Sequence, residues 1–189
     1  AHCWHGRHHS MKIAKQLLHI PKTHDSVGAR GRREMFINDL VKHFGWYCGA
    51  EIGVRTGRTS FYLLDNNPNL TMWAVDKDIS QFYNTAVANK YGKRLKALPG
   101  TSWAVSSEVP DHSLDFYFID AGHSYKSVIR DIDAWNPKLK SSGWFIGHDI
   151  NFPAVHRAVS ERFPDFQVGP DNVWFVSPDK NYDMLKKCF

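Results

Sequence analysis

Residues 48–57, Cys-Gly-Ala-Glu-Ile-Gly-Val-Arg-Thr-Gly, constrain the fold more than any other stretch. They read as a buried strand that breaks into a glycine-bearing turn and opens a helix at Thr59 and Ser60. That is the nucleotide-loop position of a βαβ unit, yet only Gly53 and Gly57 stand where a dinucleotide fingerprint has three glycines. Glu51 precedes the first glycine by two residues, near the carboxyl end of the strand. A carboxylate there suits a ligand with hydroxyls or an ammonium group better than one with a pyrophosphate.

The rest of the chain repeats the pattern. Apolar runs predict strands over 48–54, 71–75, 95–98, 114–119, 144–146, 166–168 and 173–176. Between them, helical spacing predicts helices over 31–44, 59–64, 80–91, 125–135 and 153–163, with a weaker helical segment around 103–107. Strands that alternate with helices imply an α/β fold, an open and mostly parallel sheet covered on both faces. The almost unbroken apolar run at 114–119 is what a strand buried on both sides requires.

Charge separates the chain into two parts. Residues 1–34 hold seven Lys/Arg against Asp25 and Glu34, whereas residues 35–189 hold 17 basic and 17 acidic residues. We therefore expect a basic extension over 1–30, with a short helix over 11–20 stopped by Pro21, and a neutral domain over 31–189. The neutral body gives no support for nucleic-acid binding; an arm that touches an acidic partner keeps that alternative open. His2, His5, His8, His9 and Cys3 crowd the first ten residues, where a trimmed or tagged chain end is favoured over a metal site. Three widely spaced cysteines argue against a disulfide framework and for a reducing, cytoplasmic compartment. No apolar run approaches the roughly 18 residues of a spanning helix, so no membrane partner is expected.

In open α/β sheets ligands sit outside the carboxyl ends of the strands, and each strand here ends in polar residues. Strand one ends in Glu51, Gly53 and Gly57, strand two in Asp76, and strand three in Gly100, Thr101 and Ser102. Strand four ends in Asp120 with His123 beyond it, and strand five in His148 and Asp149. Asp76 follows Gly53 by 23 residues, about the spacing that lets a carboxylate accept both ribose hydroxyls.

Two further motifs carry a resemblance. Residues 118–125, Phe-Ile-Asp-Ala-Gly-His-Ser-Tyr, and 141–149, Ser-Ser-Gly-Trp-Phe-Ile-Gly-His-Asp, resemble the strand-four and strand-five signatures of class I S-adenosylmethionine-dependent methyltransferases. The match is to the small O-methyltransferase-like group with a Glu-Ile-Gly-Val loop, as at 51–54. It departs from that group at Thr101, where many relatives carry an acidic residue, and at Ala121, where glycine is usual. The resemblance implies a Rossmann-like, doubly wound seven-stranded sheet with an antiparallel last strand. It also implies S-adenosylmethionine as cofactor. Glu51, Gly53, Val54, Arg55 and Gly57 would hold its methionine end, with Asp120 nearby. Asp76 would hold the ribose, Thr101, Ser102 and Trp103 would flank the adenine, and Lys77 belongs to the same cofactor-binding set.

A sulfonium methyl is already electrophilic, so placement supplies much of the acceleration, but an oxygen acceptor must still lose its proton. His123 and His148 are the candidate bases, because imidazole titrates near neutrality, with Asp120 as a further catalytic candidate. Alternatively Asp120, His148 and Asp149 would ligate a divalent cation; a His among the ligands suits Mn²⁺ or Zn²⁺ better than Mg²⁺. The leading expectation is O-methylation of a small-molecule or sugar-like acceptor. The alternatives are methyl transfer to RNA or another nucleic acid through the basic arm, and a cofactor-binding module without catalysis. A nicotinamide dehydrogenase is disfavoured, because 53–58, Gly-Val-Arg-Thr-Gly-Arg, does not fit the three-glycine pattern.

Overall fold

A computed structural model describes residues 32–178. The expected helix over 11–20, the His-rich first ten residues, most of the basic arm and Cys188 lie outside the described residues. In chain order the described elements are α1 (Arg32–Phe44), β1 (Cys48–Ile52), α2 (Arg58–Asn66), β2 (Thr71–Asp76), α3 (Thr85–Tyr91) and β3 (Leu95–Pro99). They continue with α4 (Ser102–Val105), β4 (Leu114–Ile119), α5 (Tyr125–Trp135), β5 (Leu139–Gly147), α6 (Pro153–Arg162), β6 (Gln167–Val168) and β7 (Trp174–Val176).

The seven strands form one sheet in the order β3-β2-β1-β4-β5-β7-β6. The first five are mutually parallel, and β7 runs antiparallel to both β5 and β6. This is the doubly wound sheet with an antiparallel final strand that the resemblance implies. Its central strands explain why periodicity could locate them: all six residues of β4 are buried, and β1 is buried from its second residue onward.

Side-chain alternation divides the two faces. Ala50 and Ile52 of β1 and Tyr117 and Ile119 of β4 join Val128, Ile132 and Trp135 of α5 and Val155 and Val159 of α6 in one core. On the other face Phe116 stacks on Trp46 at 5.2 Å, and Phe36 of α1 meets Phe175 at 5.3 Å. Glu51 points to this second face, where α2 buries Thr59, Ser60, Leu63 and Leu64.

Two elements differ from expectation. The helix predicted over 80–91 begins only at Thr85, because Asn84 takes an extended backbone and its side chain accepts from Val87 N at 3.1 Å. Asx residues favour such caps over helix interiors. Strand β5 begins at Leu139 rather than Trp144, through residues too polar to read as a strand. Leu139 pairs with Leu114 and Trp144 with Phe116, leaving an irregularity opposite Asp115. The Asp115 carboxylate accepts from the backbone N–H groups of Tyr47 and Cys48, both at 2.9 Å, and from Lys140 Nζ at 2.6 Å.

Candidate active site at the carboxyl edge

The residues that follow each strand continue the parallel ladder one bond further. Gly53 N donates to Val75 O, Asp120 N to Ile52 O, His148 N to Ile119 O and Gly100 N to Asp76 O, all at 2.8 or 2.9 Å. The loops after β1, β2, β3, β4 and β5 are thereby held to a common edge.

On the β1 side lies the glycine turn. Gly53 has φ +92°, and a Cβ there would meet Asp120 O at 2.3 Å, so only glycine lets this loop lie on the end of β4. Arg55 also adopts a left-handed backbone, φ +52°, and donates its N–H to Asp76 Oδ2 at 2.7 Å. Asp78 N donates to Asp76 Oδ1 at 3.1 Å. Asp76 is thus aimed by two backbone donors and keeps lone pairs for a diol. Lys77 beside it is exposed, as is Trp103, over whose ring Arg130 lies at 5.1 Å.

Beneath the turn sits Glu51, only 2% exposed. Its Oε2 accepts from Ser60 N at 2.9 Å and from Ser60 Oγ at 2.5 Å, tying β1 to the first turn of α2. Farther along, the Ser102 hydroxyl donates to Asp131 Oδ1 of α5, a carboxylate pushed up to about 6 by burial against the pull of Ser102. Asp131 was absent from the sequence reading, though it interrupts the apolar face of Val128, Ile132 and Trp135, which is a detectable signal.

On the β4–β5 side, Asp120, His123, His148 and Asp149 come together around one small cleft, with Val155 and Trp174 behind them. His123 Nε2 meets Asp149 Oδ2 at 2.6 Å. The His123 side chain is 46% exposed, and its ring stacks on Phe152 at 4.8 Å and 14°. Asp149 has φ +59°, a left-handed conformation that Asp tolerates better than most residues and that aims its carboxylate at both histidines. His148 is only 12% exposed; its Nδ1 lies 3.1 Å from Asp149 Oδ1 and 3.4 Å from Asp120 Oδ1. Its Nε2 is buried without a hydrogen-bond partner.

Arg33 was missed at this site because its place as the second residue of α1 carries no local signal. Its Nη1 pairs with Asp120 Oδ2 at 2.9 Å. Burial raises the Asp120 carboxyl, but the His148 hydrogen bond and the Arg33 charge outweigh it, so the net direction is down. For His148 burial works downward, and the hydrogen bond and charge of Asp120 with the charge of Asp149 turn the net direction up. Asp120, His123 and Asp149 each offer one atom, all within 4.8 Å of one another, as a metal-ligand group would. The sequence-predicted set had His148 in place of His123; the two imidazoles share Asp149, and His148 alone also faces Asp120.

A family model described as a methyltransferase domain matches residues 50–150, just over half of the chain. The chain belongs to that family. Among solved structures, this methyltransferase-domain chain is similar to a protein from Staphylococcus aureus assigned as a caffeoyl-CoA O-methyltransferase, at 15% identity and TM-score 0.64, over 89% of this chain and 91% of that one. It is also similar to the O-methyltransferase TomG from Streptomyces achromogenes, solved in complex with SAM, at 12% identity and TM-score 0.60, over 88% and 87% of the two chains. A spermidine synthase from Thermotoga maritima matches at 15% identity and TM-score 0.58, over 85% of this chain and 63% of that one. At such identities the likeness is one of fold. No curated protein sequence matches the chain.

The buried Glu51 gives this methyltransferase-domain chain a pH signature. Burial pushes its carboxyl up to about 7, the Ser60 hydroxyl bond opposes the rise, and the Asp120 charge adds to it. A carboxyl whose folded value lies above its ordinary 4.5 binds protons more tightly in the folded state. It carries no penalty below about 4.5 and costs stability progressively as pH rises to about 7. Across that window the wild type should lose roughly 3 kcal/mol relative to Glu51→Gln. Urea unfolding of both proteins at pH 5 and 7.5 measures it, and a pH-independent difference between them would refute the assignment.

Proposed function

We propose that this chain transfers the methyl group of S-adenosylmethionine to a hydroxyl of a small-molecule or sugar-like acceptor, with His123 as the general base. The observation that carries this reading is the direct 2.6 Å contact of His123 Nε2 with Asp149 Oδ2, made by an imidazole that is otherwise open at the sheet edge. With Nε2 engaged by a carboxylate, Nδ1 is the nitrogen left to take the acceptor proton. Imidazole titrates near neutral pH, where it can accept a proton and release it again. Largely buried His148, with Asp120 and Asp149 at Nδ1 and Asp171 Oδ2 3.9 Å from Nε2, holds these carboxylates in place rather than meeting an acceptor.

When bound, S-adenosylmethionine supplies an electrophilic methyl on a sulfonium centre. The residues present fit it. Asp76, held by two backbone donors, offers its remaining lone pairs to the ribose hydroxyls, with Lys77 alongside. Gly53, Val54, Arg55 and Gly57 form the turn for the methionine end, which Glu51 fastens to α2 from below and Asp120 borders from β4. Thr101, Ser102 and Trp103 would flank the adenine, and Asp131 fixes the Ser102 hydroxyl. His123 would take the proton of the acceptor oxygen as that oxygen accepts the methyl group in place of the sulfonium sulfur. The products are a methylated acceptor and S-adenosylhomocysteine.

The test is a thermal-shift and transfer assay with S-adenosylmethionine and, in parallel, NAD. At 100 times its dissociation constant the true cofactor stabilises by about 2.7 kcal/mol. We expect this from S-adenosylmethionine only, followed by methyl transfer to a hydroxylated acceptor. Stabilisation by NAD alone would overturn the cofactor assignment. Cofactor binding with no transfer across phenolic, sugar and RNA acceptors would make the chain a binding module.

A further inference from the structure

The carboxylate cluster at the ends of β4 and β5 has the donor chemistry of a divalent-metal site: two carboxylates and an imidazole within 4.8 Å. Its electrostatics are those of a site that already holds one cation. Arg33 Nη1 lies 2.9 Å from Asp120 Oδ2 and 3.4 Å from His148 Nδ1. A Mn²⁺ or Mg²⁺ ion bound to that oxygen at about 2.1 Å would stand no more than about 5 Å from the guanidinium, which is charged at every working pH. Repulsion of a doubly charged ion at that range, with little solvent between, is strong.

Arg33 also has no easy way out. Its side chain is 20% exposed, and its Nε faces Glu34 Oε1 at 3.4 Å. Glu34 is 1% exposed, takes Arg58 Nε on the same oxygen at 2.9 Å, and leaves Oε2 buried with no partner. Withdrawing Arg33 would strip a counter-ion from buried Glu34 and from partly buried Asp120 at once, an unfavourable change. The chain Arg58–Glu34–Arg33–Asp120–His148–Asp149–His123 alternates cationic or imidazole groups with carboxylates from the start of α2 to the loop after β4. Residues from four segments far apart in sequence build it.

We propose that Arg33 is the resident cation of this cluster. Its guanidinium supplies the positive charge that a divalent ion would otherwise bring, and Asp120, His123 and Asp149 take up such an ion only when Arg33 is removed. The metal-ligand set foreseen from the sequence therefore does not fit a divalent ion in the native chain. The inference concerns cation binding alone and stands whatever the methyl acceptor proves to be.

The test is a Mn²⁺ titration of the full chain, read by loss of the free-ion electron paramagnetic resonance signal, without cofactor or acceptor. The wild type and Arg33→Lys should bind Mn²⁺ weakly. Arg33→Met and Arg33→Gln should each gain a site at least about tenfold tighter, the direction that removal of a nearby like charge requires. Adding Asp149→Asn to either variant should abolish the gain, and circular dichroism identifies which variants are folded. Tight stoichiometric binding by the wild type overturns the proposal on its own, even if neither variant folds. So does a folded variant that gains no site, or a gain that survives Asp149→Asn.

Discussion

His123→Ala is expected to lower the turnover number by about two to four orders of magnitude, the range that loss of a positioned general base produces. S-adenosylmethionine affinity should stay nearly unchanged, because His123 lies on the loop after β4, apart from the Gly53 turn and Asp76. The fold should survive: the side chain is 46% exposed and its packing is one stacking contact with Phe152, worth on the order of 1 kcal/mol. Asp149→Asn should lower turnover as well, because Nε2 loses the carboxylate that orients the ring. If the two residues act as one unit, the double variant will be no slower than His123→Ala alone. Steady-state kinetics and calorimetry of the same four proteins measure all of this. Unchanged turnover in His123→Ala, with loss in His148→Ala, would move the base to His148.

Gly53→Ala should be strongly destabilising, the one among the described glycines that combines a positive φ with a 2.3 Å clash against backbone. The native φ of +92° is strained for any residue with a side chain, and the new Cβ would lie 2.3 Å from Asp120 O and 2.7 Å from Asp120 C. Those are backbone atoms and cannot rotate aside, so the loop after β1 or the end of β4 must move. Strain and overpacking together suggest a loss of roughly 2–5 kcal/mol. Because Gly53 N and Val54 N both donate to Val75 O, the displacement should reach Asp76 through Arg55 and weaken the cofactor. Urea unfolding and calorimetry with S-adenosylmethionine check the two effects. A variant with wild-type stability would mean that the loop yields more readily than its contacts allow.

The sheet edge is legible in the sequence because each doubly buried strand reads as an apolar run, and the first polar residue after it marks the edge. That logic locates Asp76, Asp120, His148 and Asp149 without any structure. Direction is harder to read than position. Glu51 was expected as a ligand contact from the loop; its side chain lies on the α2 face of the sheet and fastens to Ser60. Arg33 was counted in the basic arm, since nothing near it in sequence announces a partner after β4. The polar start of β5 was hidden for a related reason: residues 140–142 have no apolar alternation, and their extended form follows from pairing at Leu139. Asn84 shows the opposite case, a helix stop that was readable as an Asx cap but submerged by the apolar periodicity around it.

Asp115 lies at the far end of β4 from all of this chemistry, yet it bears on it. Central parallel strands with continuous apolar runs have little patterning to oppose a slip past one another, and a one-residue slip turns every side chain to the other face. Such a slip of β1 would carry Glu51 away from Ser60 and Gly53 off the end of β4. Asp115 accepts the N–H groups of two successive residues, Tyr47 and Cys48, from its place on β4, and Lys140 of β5 closes the same carboxylate. Three strands are thus indexed by one buried charge. The alignment of the reacting edge is set by a fiducial mark at the opposite edge.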